Sequence, residues 1–294
     1  MTPELLPLLV ALGIFAYAGF ASFRSRPKPA FTVPEIKPDE PALAQAPISH
    51  LPALDEVFSL EGGFPLAPIV RGLAEGYRIS YLQAADSHWV LGLSKLTHFT
   101  AQLYPVMDYF PSGEVAEAWA AGYQITGLTH GDGKWALILS QGSGYALQQW
   151  HASHEFPQEE IASGWNDGYH VTDLAFGDGL WVLILSQSSG YALQQWFKTP
   201  YFPYGEIELG WNNGYQVTNL SFGEGGWALI MSQTAKPSTQ YYHIESDFPA
   251  EAINQGIANG YRVTSLVFAD GLWALLVTKP TGDALPVVTE PASA

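Results

Sequence analysis

The chain has 294 residues, contains no cysteine and carries a formal net charge of −16 at pH 7. The lack of cysteine excludes disulfides and thiolate metal sites, and the negative charge disfavours nucleic acid and anionic lipid surfaces, because nothing offsets repulsion by phosphate. A basic or cationic partner is easier to accommodate.

The first predicted element is an N-terminal membrane anchor within residues 1–26. Leu5 to Phe23 contains no charged residue, and this is about the minimum length for a helix that spans a bilayer core. Arg24, Arg26 and Lys28 follow directly, so the positive-inside rule places the rest of the chain on the cytoplasmic side. A cleaved signal peptide, with the following domain exported to the periplasmic or extracellular side, is the first alternative, and a soluble helix is the second.

Two segments flank the central part of the chain. Residues 27–53 contain seven prolines and no apolar periodicity, which predicts an extended, semi-rigid linker. Residues 280–294 are rich in Pro, Ala and Thr, which predicts a disordered tail. Residues 54–279 between them form the predicted repeat domain.

The repeat domain consists of five copies of a 46-residue unit, in register and without an insertion. The same interval separates five Gly-Tyr pairs, five Phe-Pro pairs and five tryptophans (Trp89, Trp135, Trp181, Trp227 and Trp273). All ten tryptophans occupy repeat-equivalent positions, and we therefore interpret them as structural residues first.

One copy predicts a short helix and three strands. In the third copy, Phe156-Pro157 and the following acids suit a helix start, and Gly168 suits its end. Tyr169–Phe176, Leu180–Ser186 and Tyr191–Trp196 read as antiparallel strands joined by hairpins. The almost continuous apolar run of the second strand predicts that it is buried on both faces.

The two ends of the repeat domain predict closure. The fifth copy lacks its third strand, whereas Phe58 lies one period before Tyr104 and matches Trp150, Trp196 and Tyr242. A strand supplied from the other terminus closes a propeller and removes exposed edges. We therefore predict an all-β fold with short helices, a five-repeat closed β-propeller-like ring preceded by one transmembrane helix. A different closed toroid with helices on its rim is the alternative.

The repeat pattern FPxxxIxxxWxxGYxIT…W…S…GYxxQ carries a family resemblance. It resembles a repeat region found C-terminal to the catalytic domain in some plant casein-kinase-I-like kinases and in assorted bacterial proteins. The matching residues in the third copy are Phe156-Pro157, Ile161, Trp165, Gly168-Tyr169, Val171-Thr172, Trp181, Ser186 and Gln194. The resemblance implies a repeat fold and is almost silent on function, and the kinase activity does not carry over, since no kinase motif is present. Repeat length and copy number also resemble tachylectin-type lectins, without a matching sugar site.

An acidic residue recurs in one turn of every copy, at Asp86, Asp132, Asp178, Glu224 and Asp270. Around one face of a ring, these side chains could coordinate a cation through hard oxygen ligands. Asp-Gly is also a favoured two-residue hairpin turn, and this interpretation needs no ligand. We prefer the turn, and we predict no catalytic, cofactor-binding or metal-binding residue.

Periodic glutamines and aromatic residues are weak candidates for a ligand pocket that recurs in each copy. The residues are Tyr145, Gln148, Trp150, Tyr191, Gln194 and Trp196. They could bind a sugar or a peptide, or the glutamines could form a hydrogen-bonded belt that satisfies buried polar groups. We prefer the belt.

Positions at which the copies differ are the better candidates for partner contact. They are Lys95 and His98 in the first copy, Tyr201 and Tyr204 before the fourth helix, and Lys236. The predicted function is a non-enzymatic, membrane-anchored interaction or assembly module with a protein partner, a subunit of a larger membrane complex. The alternative is a lectin-like, multivalent propeller that binds carbohydrate or peptide on the exported side. An enzyme would need a central constellation of acids or a metal.

Overall fold

Each repeat places one short helix before two antiparallel strands. The computed structural model describes residues 55–85, 88–235 and 238–280. The helices have nine residues each: α1 Leu66–Ala74, α2 Ser112–Ala120, α3 Gln158–Asn166, α4 Tyr204–Asn212 and α5 Ala250–Ala258. The Phe-Pro signal marks the helix start as predicted, with the proline at the N-cap.

The strands fall into three repeated groups. The strands before the helices α1 to α5 are, in order, β1 Glu56–Glu61, the pair β4 Gln102–Leu103 and β5 Val106–Met107, β8 Gln148–Ser153, β11 Tyr191–Thr199 and β14 Ser238–Glu245. The inner strand after each helix is β2 Arg78–Ala85, β6 Gln124–Gly131, β9 His170–Gly177, β12 Gln216–Gly223 or β15 Arg262–Ala269. The middle strand is β3 His88–Ser94, β7 Lys134–Ser140, β10 Leu180–Ser186, β13 Gly226–Thr234 or β16 Leu272–Pro280.

Each helix ends at a glycine that the backbone requires. Gly168 has φ +77°, and the next residue, Tyr169, donates its N–H to the carbonyl of Gly164 over 2.8 Å. This left-handed cap reverses the chain from α3 into β9. Gly164 itself lies against Leu185, where an added Cβ would come within 2.7 Å of Cδ1. The helix can therefore pack directly on the middle strand.

The five sheets are separate, and each is built from a contiguous stretch of chain. The strand orders are β1-β3-β2, β8-β10-β9, β11-β13-β12 and β14-β16-β15, and in the second sheet β4 and β5 flank one edge of β7 and β6 the other. All the pairings are antiparallel.

The predicted closed β-propeller-like ring is wrong. Its basis was a strand supplied from the N-terminus to the last copy, but β1 pairs with β3 of the first copy, and Phe58 lies opposite Gly92. The fifth sheet is completed by its own β14, which pairs with β16. No described sheet combines the first and last strands or closes on itself. The error arose because the segment after each middle strand leaves its sheet and joins the next one.

The cores lie between successive sheets. One cluster combines Ile161, Trp181 and Leu183 of the third copy with Ala228 and Ile230 of the fourth, all 0–1% exposed. A further cluster joins Val90 of the first copy to Leu266 and Trp273 of the fifth. Every middle strand therefore has apolar neighbours on both faces, which confirms the prediction for Leu180–Ser186.

Side chains connect the inner strands, because neighbouring inner strands form no ladder. The Tyr81 hydroxyl accepts the Leu266 N–H over 2.6 Å and donates to the Leu266 carbonyl over 2.9 Å. Ser265 donates to the Leu220 carbonyl over 3.2 Å, and the Thr129 hydroxyl accepts the Ala84 N–H over 3.1 Å. Backbone groups at the inner edges are thus satisfied by the adjacent copy.

The predicted membrane anchor, residues 5–23, lies outside the described residues, as do the linker at 27–53 and the tail beyond residue 280. No helix among the described residues is long and apolar enough to cross a membrane. At about 1.5 Å per residue, a nine-residue helix reaches roughly 14 Å, about half of a bilayer core. The structure therefore does not support the prediction of a single-pass membrane protein with a cytoplasmic repeat domain.

Candidate functional site

The periodic glutamines clamp neighbouring sheets together. Gln194, on β11, accepts the Val171 N–H over 2.7 Å and donates to the Val171 carbonyl over 2.9 Å. The same amide donates to the Ser232 hydroxyl over 2.8 Å and accepts the Trp165 indole N–H over 2.9 Å. It therefore joins the inner strand and helix of the third copy to the middle strand of the fourth.

The other periodic glutamines repeat this arrangement. Gln148 binds the backbone N–H and carbonyl of Ile125, the Ser186 hydroxyl and the Trp119 indole N–H. Gln240 binds the backbone N–H and carbonyl of Val217, the Thr278 hydroxyl and the Trp211 indole N–H. Gln102 binds Ile79 and Ser140. Since these amides already make their hydrogen bonds within the protein, the belt interpretation accounts for them. The lectin-like alternative stays a prediction, but the glutamine amides would have to break these hydrogen bonds before they could bind a sugar.

The four aromatic candidates for the ligand pocket lie in two different settings. Trp150 packs on Phe110 with ring centroids 4.7 Å apart, and Trp196 packs on Phe156 at 4.8 Å. Both indoles therefore pack against the phenylalanine that immediately precedes the N-cap proline of the preceding helix, α2 for Trp150 and α3 for Trp196. Tyr145 and Tyr191 are half-buried; Tyr191 begins β11, and Tyr145 lies three residues before β8. Burial first, and the nearby Asp173 carboxylate as a further cause, raises the pKa of the Tyr191 hydroxyl to about 12.

At the junction of the fifth and first sheets, Glu56 occupies the position of the glutamine clamp. It lies 46 residues before Gln102, and it accepts the Ser94 hydroxyl over 3.1 Å. Its Oε1 lies 3.2 Å from Nε of Arg262 in the fifth copy. Burial raises the pKa of Glu56, although Arg262 and the Ser94 hydroxyl act in the opposite direction. This junction thus uses an ion pair where the other four use an amide.

We expect Glu56→Gln to raise the free energy of unfolding at pH 7 by about 1 kcal/mol, because an amide can also donate to the facing groups. The folded-state pKa of Glu56 lies above its unfolded value, so its favourable contribution exists at low pH and is lost as pH rises through the folded pKa. The gain from Glu56→Gln should therefore be larger at pH 7 than at pH 5. Urea denaturation at both pH values measures it.

Arg262→Gln is the matched control for this experiment, because Gln124 and Gln216 occupy the same position in other copies. It leaves Glu56 without its cation and should lower the free energy of unfolding at pH 7. A Glu56→Gln variant less stable than the native protein at pH 7 would contradict the prediction and show that the ion pair outweighs the amide.

The recurring acids belong to tight turns between inner and middle strands. Asp132 and Gly133 have φ of 52° and 66°, as a type I′ turn requires at both central residues. Asp132 accepts the Trp89 indole N–H over 2.7 Å, and Glu224 accepts that of Trp181 over 2.7 Å. Each of these carboxylates thus fastens the tryptophan of the preceding copy.

A cation site at these turns has no support in the described part of the chain. No group of three or more His, Asp or Glu residues there could hold a metal ion. Glu224 also pairs with Lys198, and Asp178 Oδ1 lies 3.0 Å from Nε2 of His130. Asp86 lies outside the described residues.

The candidate contact residues occupy two separate places. Lys95 and His98 are exposed beyond the end of β3, where the Lys95 ammonium lies 4.3 Å from the centre of the Tyr77 ring. Tyr201 and Tyr204 follow the C-terminal end of β11, and they are 63% and 47% exposed. Because β11 is antiparallel to the middle strand β13, this is the end of the sheet opposite to the one at which Lys95 lies in the first copy. Lys236 lies outside the described residues. Among the candidate contact residues, only the two tyrosines are exposed on one short segment beside a helix of the same copy.

Tyr204 extends an aromatic cluster on the fourth copy. Tyr204 packs on Phe202 and Tyr242, with ring centroids 4.7 Å and 5.7 Å apart, and Trp211 stacks on Tyr242 at 5.8 Å. Leu209, on the same helix α4, is 60% exposed. We call Tyr201, Tyr204 and Leu209 the fourth-copy patch.

A cavity of about 410 Å³ lies where the five inner strands meet. At one repeat position every copy supplies a different residue to its wall: Tyr81, Gly127, Asp173, Asn219 and Ser265. The position two residues further on also differs in all five copies. Residues that recur once per copy do not reveal the position of Asp173, because its residue changes from copy to copy. A usable signal was present, namely a polar inner-strand position that changes in all five copies between nearly invariant neighbours.

Asp173 is the acid at this varied position. Its Oδ1 accepts the Leu174 N–H over 2.9 Å and the Asn219 amide over 3.0 Å, and Leu128 of the second copy supplies a further backbone hydrogen bond. The Asp173 side chain is half-buried and lines the cavity. Burial raises the pKa of Asp173 to about 7.

These features define a protein of tandem helix-and-sheet repeats around a central cavity. The sequence model of a family described as a domain of unknown function (DUF7477) matches residues 128–284. Because this match covers more than half of the 294 residues, the chain belongs to that family. The match does not connect the chain to the kinase-associated repeat region. No curated protein and no solved structure matches the chain significantly.

Proposed function

We propose that this protein is a non-enzymatic interaction module that binds a protein partner through the fourth-copy patch. The observation that carries the proposal is the exposure of Tyr201, Tyr204 and Leu209, at 63%, 47% and 60%. Exposed aromatic side chains in one cluster are typical of protein contact sites.

Comparison with the other copies supports a role beyond folding. At the position of Leu209 the other copies have Arg71, Glu117, Ser163 and Gln255, and the helix forms in all of them. At the position of Tyr204 they have Leu66, Ser112, Gln158 and Ala250. The repeat fold therefore does not require large apolar side chains at these positions.

Charge favours a basic partner. Glu206 and Glu208 lie on the same helix as the patch, and α4 has no basic residue in its last turn. The net charge of −16 adds long-range attraction for a positively charged surface. The partner should thus present apolar side chains flanked by Lys or Arg.

The test is quantitative affinity purification of the full chain against a repeat-matched variant. Tyr201→Glu, Tyr204→Gln and Leu209→Ser introduce the residues of the third copy, Glu155, Gln158 and Ser163, which the same backbone accommodates. We expect a basic protein to be depleted about tenfold or more from the triple variant, as loss of an aromatic hot spot predicts. Tyr109→Glu, at the position of Tyr201 in the second copy, should retain it.

Unchanged recovery by the triple variant, or equal loss with Tyr109→Glu, would refute the docking site. Far-UV circular dichroism of each variant checks the fold. The narrower resemblance to the repeat region of plant casein-kinase-I-like kinases remains part of this proposal, as a relationship between docking regions without kinase activity.

A further inference from the structure

The central cavity has the size and position of a small-molecule site. Its volume of about 410 Å³ falls within the range of ligand pockets, which runs from roughly 300 to 1,000 Å³. Inner strands of all five copies line it. A pocket on the common axis of repeats can specialise without disturbing the cores between the sheets.

The varied position shows that the cavity wall has specialised. Its five residues differ in size, charge and hydrogen-bonding capacity, whereas the next position keeps leucine in every copy (Leu82, Leu128, Leu174, Leu220 and Leu266). An exposed position could drift freely, but this one faces an interior space. Gly127, at the same repeat position in the second copy, adds no side chain to the wall.

Asp173 places an uncompensated acid in this wall. None of the ion pairs among the described residues includes it, and its described hydrogen bonds come from neutral groups. A buried carboxylate without a cation is costly, and a bound cation would remove that cost.

The remaining lining indicates which kind of cation fits. A hard metal ion takes six to eight oxygen ligands, and no described cluster of His, Asp or Glu could hold one. Phe176, Phe222 and Phe268 also line the cavity, while their rings pack on the tryptophans of the cores. Aromatic residues favour contact with organic cations and their apolar groups.

We propose that the central cavity binds a small organic cation, whose ammonium group donates hydrogen bonds to the Asp173 carboxylate while its hydrocarbon part fills the space beside Gly127. This site lies on the inner strands, whereas the fourth-copy patch lies on α4 and the loop before it. The two sites can therefore be tested independently.

The test uses n-butylammonium chloride as the probe and butan-1-ol as its neutral isostere, with the full chain at constant ionic strength. Isothermal titration calorimetry and the thermal unfolding midpoint both report binding, because a ligand specific to the folded state raises its stability. We expect saturable binding of butylammonium and a much smaller effect of butanol. Equal effects of the two probes, or no saturable binding of either, would overturn the proposal.

Substitution then locates the site. Asp173→Asn keeps the shape and one acceptor oxygen, and it should weaken butylammonium binding about tenfold or more, since hydrogen bonds to a charged group are the strong ones. Asp167→Asn is the matched control in the same copy, at the exposed C-cap of α3, where the fourth and fifth copies have Asn213 and Asn259, and it should bind like the native protein. A folded Asp173→Asn protein that binds normally contradicts the site.

The pH dependence of the native protein gives an independent decision, even if Asp173→Asn fails to fold. Binding requires the carboxylate, so affinity should fall about tenfold per pH unit below pH 7 and level off above it. Tyr81, Tyr145 and Tyr191 also lie near Asp173, and their raised pKa values keep them neutral throughout this range.

Three further titratable groups line the cavity, His88, His130 and Asp132. Protonation of the histidines would weaken cation binding in the same direction, so the profile is repeated with His88→Asn and His130→Asn. Persistence of the pH dependence in both variants supports Asp173 as the titrating group. Its loss in either one, or a flat profile in the native protein, contradicts the proposal.

Discussion

Replacing Gln194 with leucine is expected to lower the free energy of unfolding by roughly 3 kcal/mol, because the change leaves buried polar groups of two copies without partners. Both backbone groups of Val171, the Ser232 hydroxyl and the Trp165 indole N–H bind this single amide. Urea denaturation followed by tryptophan fluorescence measures the change as a shift in midpoint.

The neighbouring Gln195 provides the control, since it is the same residue type on the same strand. Its amide makes only a weak contact, 3.7 Å from the sulfur of Met231. Gln195→Leu should change the free energy of unfolding by less than about 1 kcal/mol. Equal effects at the two positions would show that the clamp does not hold the sheets together.

Replacing Trp181 with alanine is expected to cost about 3–5 kcal/mol, the range for removing a large buried aromatic residue. The side chain is 0% exposed and packs edge-on against Phe156 at 5.5 Å, while its indole N–H binds Glu224 of the next copy. The substitution would therefore leave a void in the core between the third and fourth sheets. Thermal and urea denaturation should both show the loss.

Two further variants separate packing from hydrogen bonding at this position. Trp181→Phe keeps most of the ring but loses the N–H donor, so it should cost less than alanine. Leu193→Ala, at a side chain that is 56% exposed, should change stability by less than about 0.5 kcal/mol. A small effect of Trp181→Ala would refute the view that the periodic tryptophans carry the contacts between sheets.

Local structure was predictable because each signal acts within a few residues. The Phe-Pro start, the Gly168 stop and the apolar run at Leu180–Ser186 placed α3, β9 and β10 within two residues of their observed bounds. Burial of the middle strand on both faces followed from the same run. These features need only helix caps, strand periodicity and turn chemistry.

Strand partnership was not predictable in the same way. The four residues 187–190 after β10 suit either a hairpin or a departure to the next sheet, and local preferences do not distinguish them. The structure takes the second route, because Gln194 gains partners in both sheets and β11 pairs with β13. Assigning that strand to the wrong sheet led directly to the incorrect closed ring.

One of the two candidate sites was likewise predictable from the sequence, and the other was not. Tyr201 and Tyr204 were found because they depart from the repeat, and the structure shows them exposed, as is Leu209 on the same helix α4. Asp173 was missed, since its meaning depends on the cavity and on Asn219, one full repeat away in sequence. Distances between copies are set by packing, which a search for recurring residues does not detect.

The amino-acid sequence by itself determined the 46-residue repeat, the helix and strands of each copy, and the residues that fill the cores, because these depend on short-range preferences and burial. Only the tertiary structure decided which strands share a sheet, which glutamines and acids are already bound, and where Asp173 faces. Those outcomes depend on hydrogen bonds and packing between copies, which become defined only when all five sheets have assembled.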